Sequence, residues 1–179
     1  TTDSDPRQSK ERMHRRYRTK GKKVTHFLSP SPYYTEKIAS AFDVDPSQDG
    51  LFINSGYPRN DALLEPSEEK TAEFKKSLGI PEGAKVILYT PTWRDNEYQN
   101  GHGFQYESPV NLGKLMELLP ENYILLFRAH HQVGTSEVIQ ETDRIFDVTD
   151  ADDLNDLYLI SDLMITDYSS TMFDYSVLK

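Results

Sequence analysis

The chain has 179 residues, 36% of them apolar and 27% charged, which fits one folded α/β domain plus part of a second rather than a disordered chain. It has no cysteine, so disulfides, thiolate chemistry and cysteine-ligated zinc are excluded. The formal net charge of −9 argues against a general nucleic-acid binder, whose affinity comes from neutralising phosphates.

The first element in chain order is basic. Residues Arg7 to Lys23 read RQSKERMHRRYRTKGKK, which predicts a solvated helix followed by a polar turn over 19–22. Attraction to an anionic membrane surface or a polyanion is the alternative use of such a run. Residues 24–28 read as a short buried strand ended by Ser29-Pro-Ser-Pro32, and residues 33–42 have helical spacing. The next apolar run covers 51–54 and closes on Gly56-Tyr-Pro-Arg-Asn60. A helix is predicted over 67–78: Ser67 can cap it, Glu68 and Glu69 suit its first turn, and Gly79 stops it.

From there the rhythm is regular. Strands at 86–89, 123–127, 145–148 and 163–166 alternate with helices at 110–119, 136–142, 152–160 and 169–178. Short, continuous apolar strands alternating with helices predict a parallel sheet covered on both faces. Ligands of such sheets sit beyond the carboxyl ends of the strands. No run approaches the roughly 18 apolar residues of a spanning helix. The polar start also lacks the apolar stretch of a signal peptide. Neither end carries a boundary signal, since the pattern Met172, Phe173, Tyr175, Val177, Leu178 runs into Lys179 without a stop. The chain is therefore expected to be a fragment of a longer protein.

All four strands of the second half end in polar residues. After the last comes Asp167-Tyr-Ser-Ser-Thr171, where Ser169, Ser170 and Thr171 fall at a helix start. Free N–H groups and hydroxyls there suit a phosphate, and N-capping by Asp167 or Ser169 explains the same residues. Arg128, His130 and His131 follow the second strand and suit phosphate binding or protonation of a leaving phosphate. Adjacent side chains of extended backbone point opposite ways, so one of the two histidines is expected to face the site. Thr92, Trp93 and Arg94 follow the first strand; Trp93 suits packing or stacking on a base, and Arg94 a phosphate or Asp95. The segment 95–107 reads as a long polar, glycine-bearing loop. Gly-x-Gly-x-x-Gly and Walker sequences are absent, which disfavours dinucleotide oxidoreductases and P-loop enzymes. His14, His26 and His102 are too scattered for a zinc site.

Five motifs in this order carry a resemblance: Ser29-Pro-Ser-Pro-Tyr33, Gly56-Tyr-Pro-Arg-Asn-Asp61, Tyr89-Thr-Pro-Thr-Trp-Arg94, Leu126-Phe-Arg-Ala-His130, and the run LYLISDLMITDYSS from Leu157 to Ser170 with Phe173-Asp-Tyr175 behind it. Across nearly the whole chain they resemble the CDP-glycerol:poly(glycerophosphate) glycerophosphotransferases of Gram-positive bacteria. The resemblance implies an α/β, GT-B-like architecture. Residues 1–62 would be the end of the N-terminal, acceptor-side domain with its linker, and 63–179 a partial donor-binding domain. It implies transfer of glycerol phosphate from CDP-glycerol to a growing teichoic acid chain, with release of CMP. It further implies no cofactor or metal, a lipid-linked teichoic acid acceptor, and peripheral attachment at the cytoplasmic face of the membrane.

By matching position, His130 would be the functional histidine of the donor domain, with Arg128, Ser169, Ser170 and Thr171 on the donor phosphates. Thr92 and Arg94 would lie in the family's loop facing the cleft, and His131 and Asp167 are further candidates for the site. The family also carries a Trp-His-Gly-Thr motif, expected to supply the base for the acceptor hydroxyl, and nothing in this chain matches it. The chain alone is therefore expected to turn over weakly or not at all. The alternatives are a GT-B transferase with another donor, such as CDP-ribitol, CMP-sialic acid or a UDP-sugar, and a non-enzymatic polyanion-binding module.

Overall fold

A computed structural model describes residues 9–92, 98–99, 103–104, 110–129, 141–167 and 169–178. The chain divides into two compact units, Thr1–Asp61 and Ala62–Lys179.

The first unit opens with helix α1 (Lys10–Gly21), whose residues are exposed except for Gly21. The basic run thus forms the expected solvated helix. It extends through Gly21 rather than turning over 19–22, with Lys22 and Lys23 making the turn. Strand β1 (Phe27–Ser29) is shorter than the expected 24–28, because the Val24 amide still serves the turn by donating to the Gly21 carbonyl at 3.2 Å. Helix α2 (Pro32–Phe42) starts where Ser31 Oγ accepts the Tyr34 amide at 3.2 Å and Pro32 occupies the first turn. It ends on Asp43, a non-glycine residue at φ 55°, whose carboxylate meets Arg18 Nε at 2.9 Å. Strand β2 (Phe52–Asn54) pairs parallel with β1, and a 3-10 turn follows at Pro58–Asn60.

Aromatic rings knit this unit together. Phe27 stacks on Phe52 at 5.1 Å and meets Phe42 edge-on at 5.2 Å, and Tyr17 of α1 also meets Phe42 edge-on at 5.2 Å. The helices approach closely at Gly21. A Cβ there would stand 2.6 Å from the Phe42 carbonyl oxygen, a backbone atom unable to move aside. Gly21→Ala is expected to destabilise this unit by about 1–3 kcal/mol, the usual cost of overpacking. Urea unfolding followed through the tyrosines of this unit would measure it.

In the second unit, α3 (Asp61–Leu64) leads into α4 (Glu68–Ser77). Ser67 caps α4 through the Lys70 amide at 3.3 Å, and Gly79 closes it at φ +72°. Strand β3 (Lys85–Thr90) follows, then a small antiparallel ribbon of β4 (Tyr98–Gln99) and β5 (Gly103–Phe104) inside the segment expected to be loop. Helix α5 (Leu112–Glu117), strand β6 (Tyr123–Phe127), strand β7 (Ile145–Asp147), helix α6 (Leu154–Ile160) and strand β8 (Leu163–Thr166) come next. The chain ends in α7 (Thr171–Tyr175) and a 3-10 turn at Ser176–Leu178. The helix expected over 136–142 lies almost wholly outside the described residues.

The four strands form one parallel sheet in the order β7-β6-β3-β8. Alternate residues serve opposite faces, as strand geometry requires. Val86, Leu88, Ile124 and Leu126 pack with Leu157, Tyr158 and Ile160 of α6. Tyr89, Leu125 and Phe127 pack with Leu112 and Met116 of α5. Both faces are therefore covered, which explains why the strands read as unbroken apolar runs.

At the amino edge of this sheet, Asp162 ties β8 to β3. Its Oδ2 accepts the Val86 amide at 2.9 Å, and its Oδ1 meets Lys85 Nζ at 2.8 Å. Burial pushes its pKa up, but the bonds from Lys85 and the Val86 amide, with the charges of Lys85 and Lys75, outweigh burial and hold it below the ordinary value. A depressed carboxylate adds stability above its unfolded pKa and loses it as pH falls through the folded one. Asp162→Ala should therefore cost about 1–2 kcal/mol near pH 7, mostly by orphaning the Val86 amide. Denaturation midpoints of the variant and the wild type should converge as pH drops below about 4.

Candidate functional site

The chain order of the strands fixes where a ligand would sit. From β3 the sheet grows through β6 to β7, and then β8 returns to the free side of β3. The reversal lies between β3 and β8. Connections leaving two neighbouring strands in opposite directions open a crevice at their carboxyl ends, the usual ligand position of such sheets.

Hydroxyl groups crowd this position. β3 ends on Thr90, only 5% exposed, whose carbonyl accepts Thr166 Oγ1 at 2.6 Å from the end of β8. Thr90 Oγ1 lies 3.3 Å from Thr171 Oγ1, and Thr171 Oγ1 donates to Ser169 Oγ at 2.9 Å. Thr171 has one hydroxyl proton, so with that proton on Ser169 it is Thr90 that donates to Thr171. Among the described residues Ser169 Oγ accepts two bonds, from Thr171 Oγ1 and from the Thr171 amide at 3.4 Å. Among the described residues its own proton has no acceptor. Three hydroxyls thus form a directional chain ending in a donor, and each bond polarises the next.

The loops after the two strands are joined as well. Asp167 Oδ1 accepts both the Thr92 amide, at 2.8 Å, and Thr92 Oγ1, at 2.7 Å. The structure therefore brings together Thr92, Asp167, Ser169 and Thr171 of the sequence-based candidates and adds Thr90 and Thr166. Those two threonines end apolar strands that pair with each other, the one sequence signal that would have found them.

The expected fan of free amides at Ser169 to Thr171 is corrected. Of those three, the Ser169 amide donates to the Asp167 carbonyl at 2.8 Å and the Thr171 amide to Ser169 Oγ at 3.4 Å. Helix α7 begins only at Thr171, because the serines take part in a turn that competes with helix. Ser170, exposed at the N-cap position, makes no side-chain cap bond. Asp167 does not cap the helix either, its carboxylate being turned to Thr92. What the segment offers a ligand is mainly hydroxyl.

Arg128 stands at the end of β6, two strand spacings from β8, or about 10 Å. Its amide donates to the Tyr89 carbonyl at 2.9 Å. Its Nη1 donates to the carbonyls of Ala151 at 2.8 Å and Val148 at 3.4 Å, bracing the loop after β7. The other guanidinium donors have no partner among the described residues. The Ala129 amide is held by Thr149 Oγ1 at 2.9 Å, so the backbone is fixed up to the residue before His130. His130, His131, Trp93 and Arg94 lie outside the described residues. Among the described residues, no three His, Asp or Glu side chains gather as a metal-binding group.

A doubly covered parallel sheet, reversed between β3 and β8 and lined there by hydroxyls, defines an open α/β fold of the Rossmann type. The model of the CDP-glycerol:poly(glycerophosphate) glycerophosphotransferases matches residues 1–179, and the chain belongs to that family. It is 39% identical over 165 residues to a teichoic acid glycerol-phosphate transferase of Staphylococcus aureus, covering 91% of this chain and 41% of that protein. It is 38% identical over 176 residues to a teichoic acid poly(glycerol phosphate) polymerase of Bacillus spizizenii, covering 97% of this chain and 44% of that protein. Among solved structures, a variant of the wall teichoic acid polymerase TagF soaked with CDPG superposes with a TM-score of 0.84 at 34% identity, over 98% of this chain and 42% of that one. The α/β fold is thus the GT-B type that the sequence resemblance implied. The chain spans about two fifths of the length of these relatives.

Proposed function

We propose that the protein carrying this chain transfers glycerol phosphate from CDP-glycerol to a growing teichoic acid chain and releases CMP. The observation that carries this is the hydroxyl cluster at the β3/β8 reversal, in a chain of the glycerophosphotransferase family. The terminal hydroxyl of the acceptor attacks the phosphorus that bears glycerol, and the bond to the CMP oxygen breaks. Such a transfer needs positioning and charge neutralisation more than covalent help.

Ser169 donates its free proton to the diphosphate, with Ser170, Thr171 and Thr92 beside it. Arg128 supplies positive charge from the next strand end but one. His130 stabilises or protonates the phosphate of departing CMP, and His131 and Arg94 are further candidates for contact with the donor phosphates. The base that takes the acceptor proton is supplied by the family's Trp-His-Gly-Thr motif, which this chain does not contain. No resident metal or cofactor enters this scheme. The acceptor is lipid-linked, and the protein works at the cytoplasmic face of the membrane as a peripheral protein. The exposed basic face of α1 supports that placement through attraction to anionic headgroups. Among the described residues no helix is long and apolar enough to cross a membrane.

The test is CMP release and polymer growth with CDP-glycerol, CDP-ribitol and CMP-sialic acid offered separately to the naturally expressed protein. Transfer from CDP-glycerol above the other two is expected. Salt-sensitive polyanion binding with indifference to every CDP-alcohol would instead mark a non-enzymatic module.

A further inference from the structure

We infer that Asp167 is a positioning residue of the donor site, pinning the loop after β3 to the loop after β8 so that both face the diphosphate together. This rests on the donor site proposed above.

The residues it joins are 75 positions apart, and both leave the carboxyl ends of neighbouring strands. One carboxylate oxygen takes the Thr92 amide and its hydroxyl, at 2.8 and 2.7 Å, so both the backbone and the rotamer of Thr92 are set. Two residues further along, Ser169 turns back on the Asp167 carbonyl at 2.8 Å, which places the hydroxyl chain at once beyond the pinned point. Both crevice walls thus depend on this one residue, through its side chain on one side and its carbonyl on the other.

Its charge has the wrong sign for a phosphate ligand. A carboxylate beside a diphosphate repels it, so Asp167 serves the donor through the loop it holds. Carbonyl-type oxygen is all that role requires, which leads to an unusual ranking of variants. Asp167→Asn keeps an acceptor for Thr92 and removes the repulsion. Asp167→Ala removes both.

Calorimetric titration with CDP-glycerol in the naturally expressed protein tests this. Asp167→Ala should weaken binding about tenfold, the effect of losing a doubly used charged acceptor at a partly exposed site. Asp167→Asn should bind as tightly as wild type or more tightly. Thr92→Val should weaken binding about threefold, one hydroxyl bond being lost. Thr92→Ser should restore it, and the Asp167→Ala/Thr92→Val double variant should be no weaker than Asp167→Ala alone, since the pair acts as one unit.

A staple that serves stability alone would lower the melting temperature of Asp167→Ala and leave its affinity unchanged. That outcome overturns the inference, as does Asp167→Asn falling with Asp167→Ala. Should Asp167→Ala fail to fold, the other variants decide: a weakened Thr92→Val with an intact Asp167→Asn sustains the role, and wild-type affinity in Thr92→Val overturns it. A wild-type protein that binds no CDP-glycerol overturns the donor-site proposal itself and this role with it.

Discussion

Replacing His130 with alanine is expected to slow glycerol-phosphate transfer by about 10²–10⁴-fold, the usual worth of one positioned acid–base group. The melting temperature should not change. The expectation rests on three features of the chain leading to that residue. Arg128 is anchored by its amide to Tyr89 and by its guanidinium to the loop after β7, and the Ala129 amide is anchored to Thr149. Position 130 thus follows a backbone fixed at the carboxyl edge of the sheet, beside the strand whose end carries the hydroxyl cluster. A histidine there can neutralise the charge that develops on CMP as the phosphoryl group departs. Binding of CDP-glycerol, unlike turnover, should change little in the variant. Transfer within about threefold of wild type would remove His130 from the mechanism, because acid–base groups contribute far more than that.

The second large effect concerns the sheet that holds these groups. Phe127 is the last residue of β6, fully buried, with its ring 5.9 Å from that of Tyr89. It packs among Leu112, Met116 and Ile145, so α5 and β7 both lean on it. Phe127→Ala should cost about 3–5 kcal/mol, the usual loss for a large buried ring replaced by a cavity. Against a typical total of about 5–15 kcal/mol, that leaves the second unit marginal. β6 lies between β3 and β7 in the sheet, so loosening it frees three of the four strand ends at once. Activity should fall with the folded fraction, and CDP-glycerol in excess should restore part of the stability by binding only the folded form. Urea titrations with and without the donor measure both effects. A loss below about 1 kcal/mol would mean that the packing around Phe127 is looser than described.

Periodicity alone exposed most of this sheet. Strands β6 and β8 have the boundaries that their apolar runs predict, since buried parallel strands leave an unbroken signature. Capping residues were equally plain: Ser67 starts α4 and Gly79 closes it as their chemistry demands. Short elements were harder. The helix expected over 169–178 shrinks to five residues and a 3-10 turn, because Ser169 and Ser170 satisfy their backbone in a turn. Residues 24–26 look like strand but form the irregular link between the turn after α1 and β1.

Of the site, the serines and Thr171 stood out as a cluster in sequence. The partnership of Asp167 with Thr92 did not, since it spans 75 residues and exists only once β8 returns beside β3. Strand order is a tertiary fact, set by which faces α5 and α6 cover, and no local pattern encodes it. Arg128 shows the reverse case. Its position was legible, but its Nη1 bonds to the carbonyls of Val148 and Ala151 were not, because they depend on how the loop after β7 folds back.

The proposed function puts the donor diphosphate at the β3/β8 reversal. A crystal structure of the naturally expressed protein soaked with CDP-glycerol tests it most directly. Diphosphate oxygens are expected within hydrogen-bond distance of Ser169 Oγ, beside Thr92 and Thr171, with the Asp167–Thr92 bonds intact. A nucleotide ordered at another edge of the sheet, or held in the first unit with the Ser169 hydroxyl untouched, would contradict it.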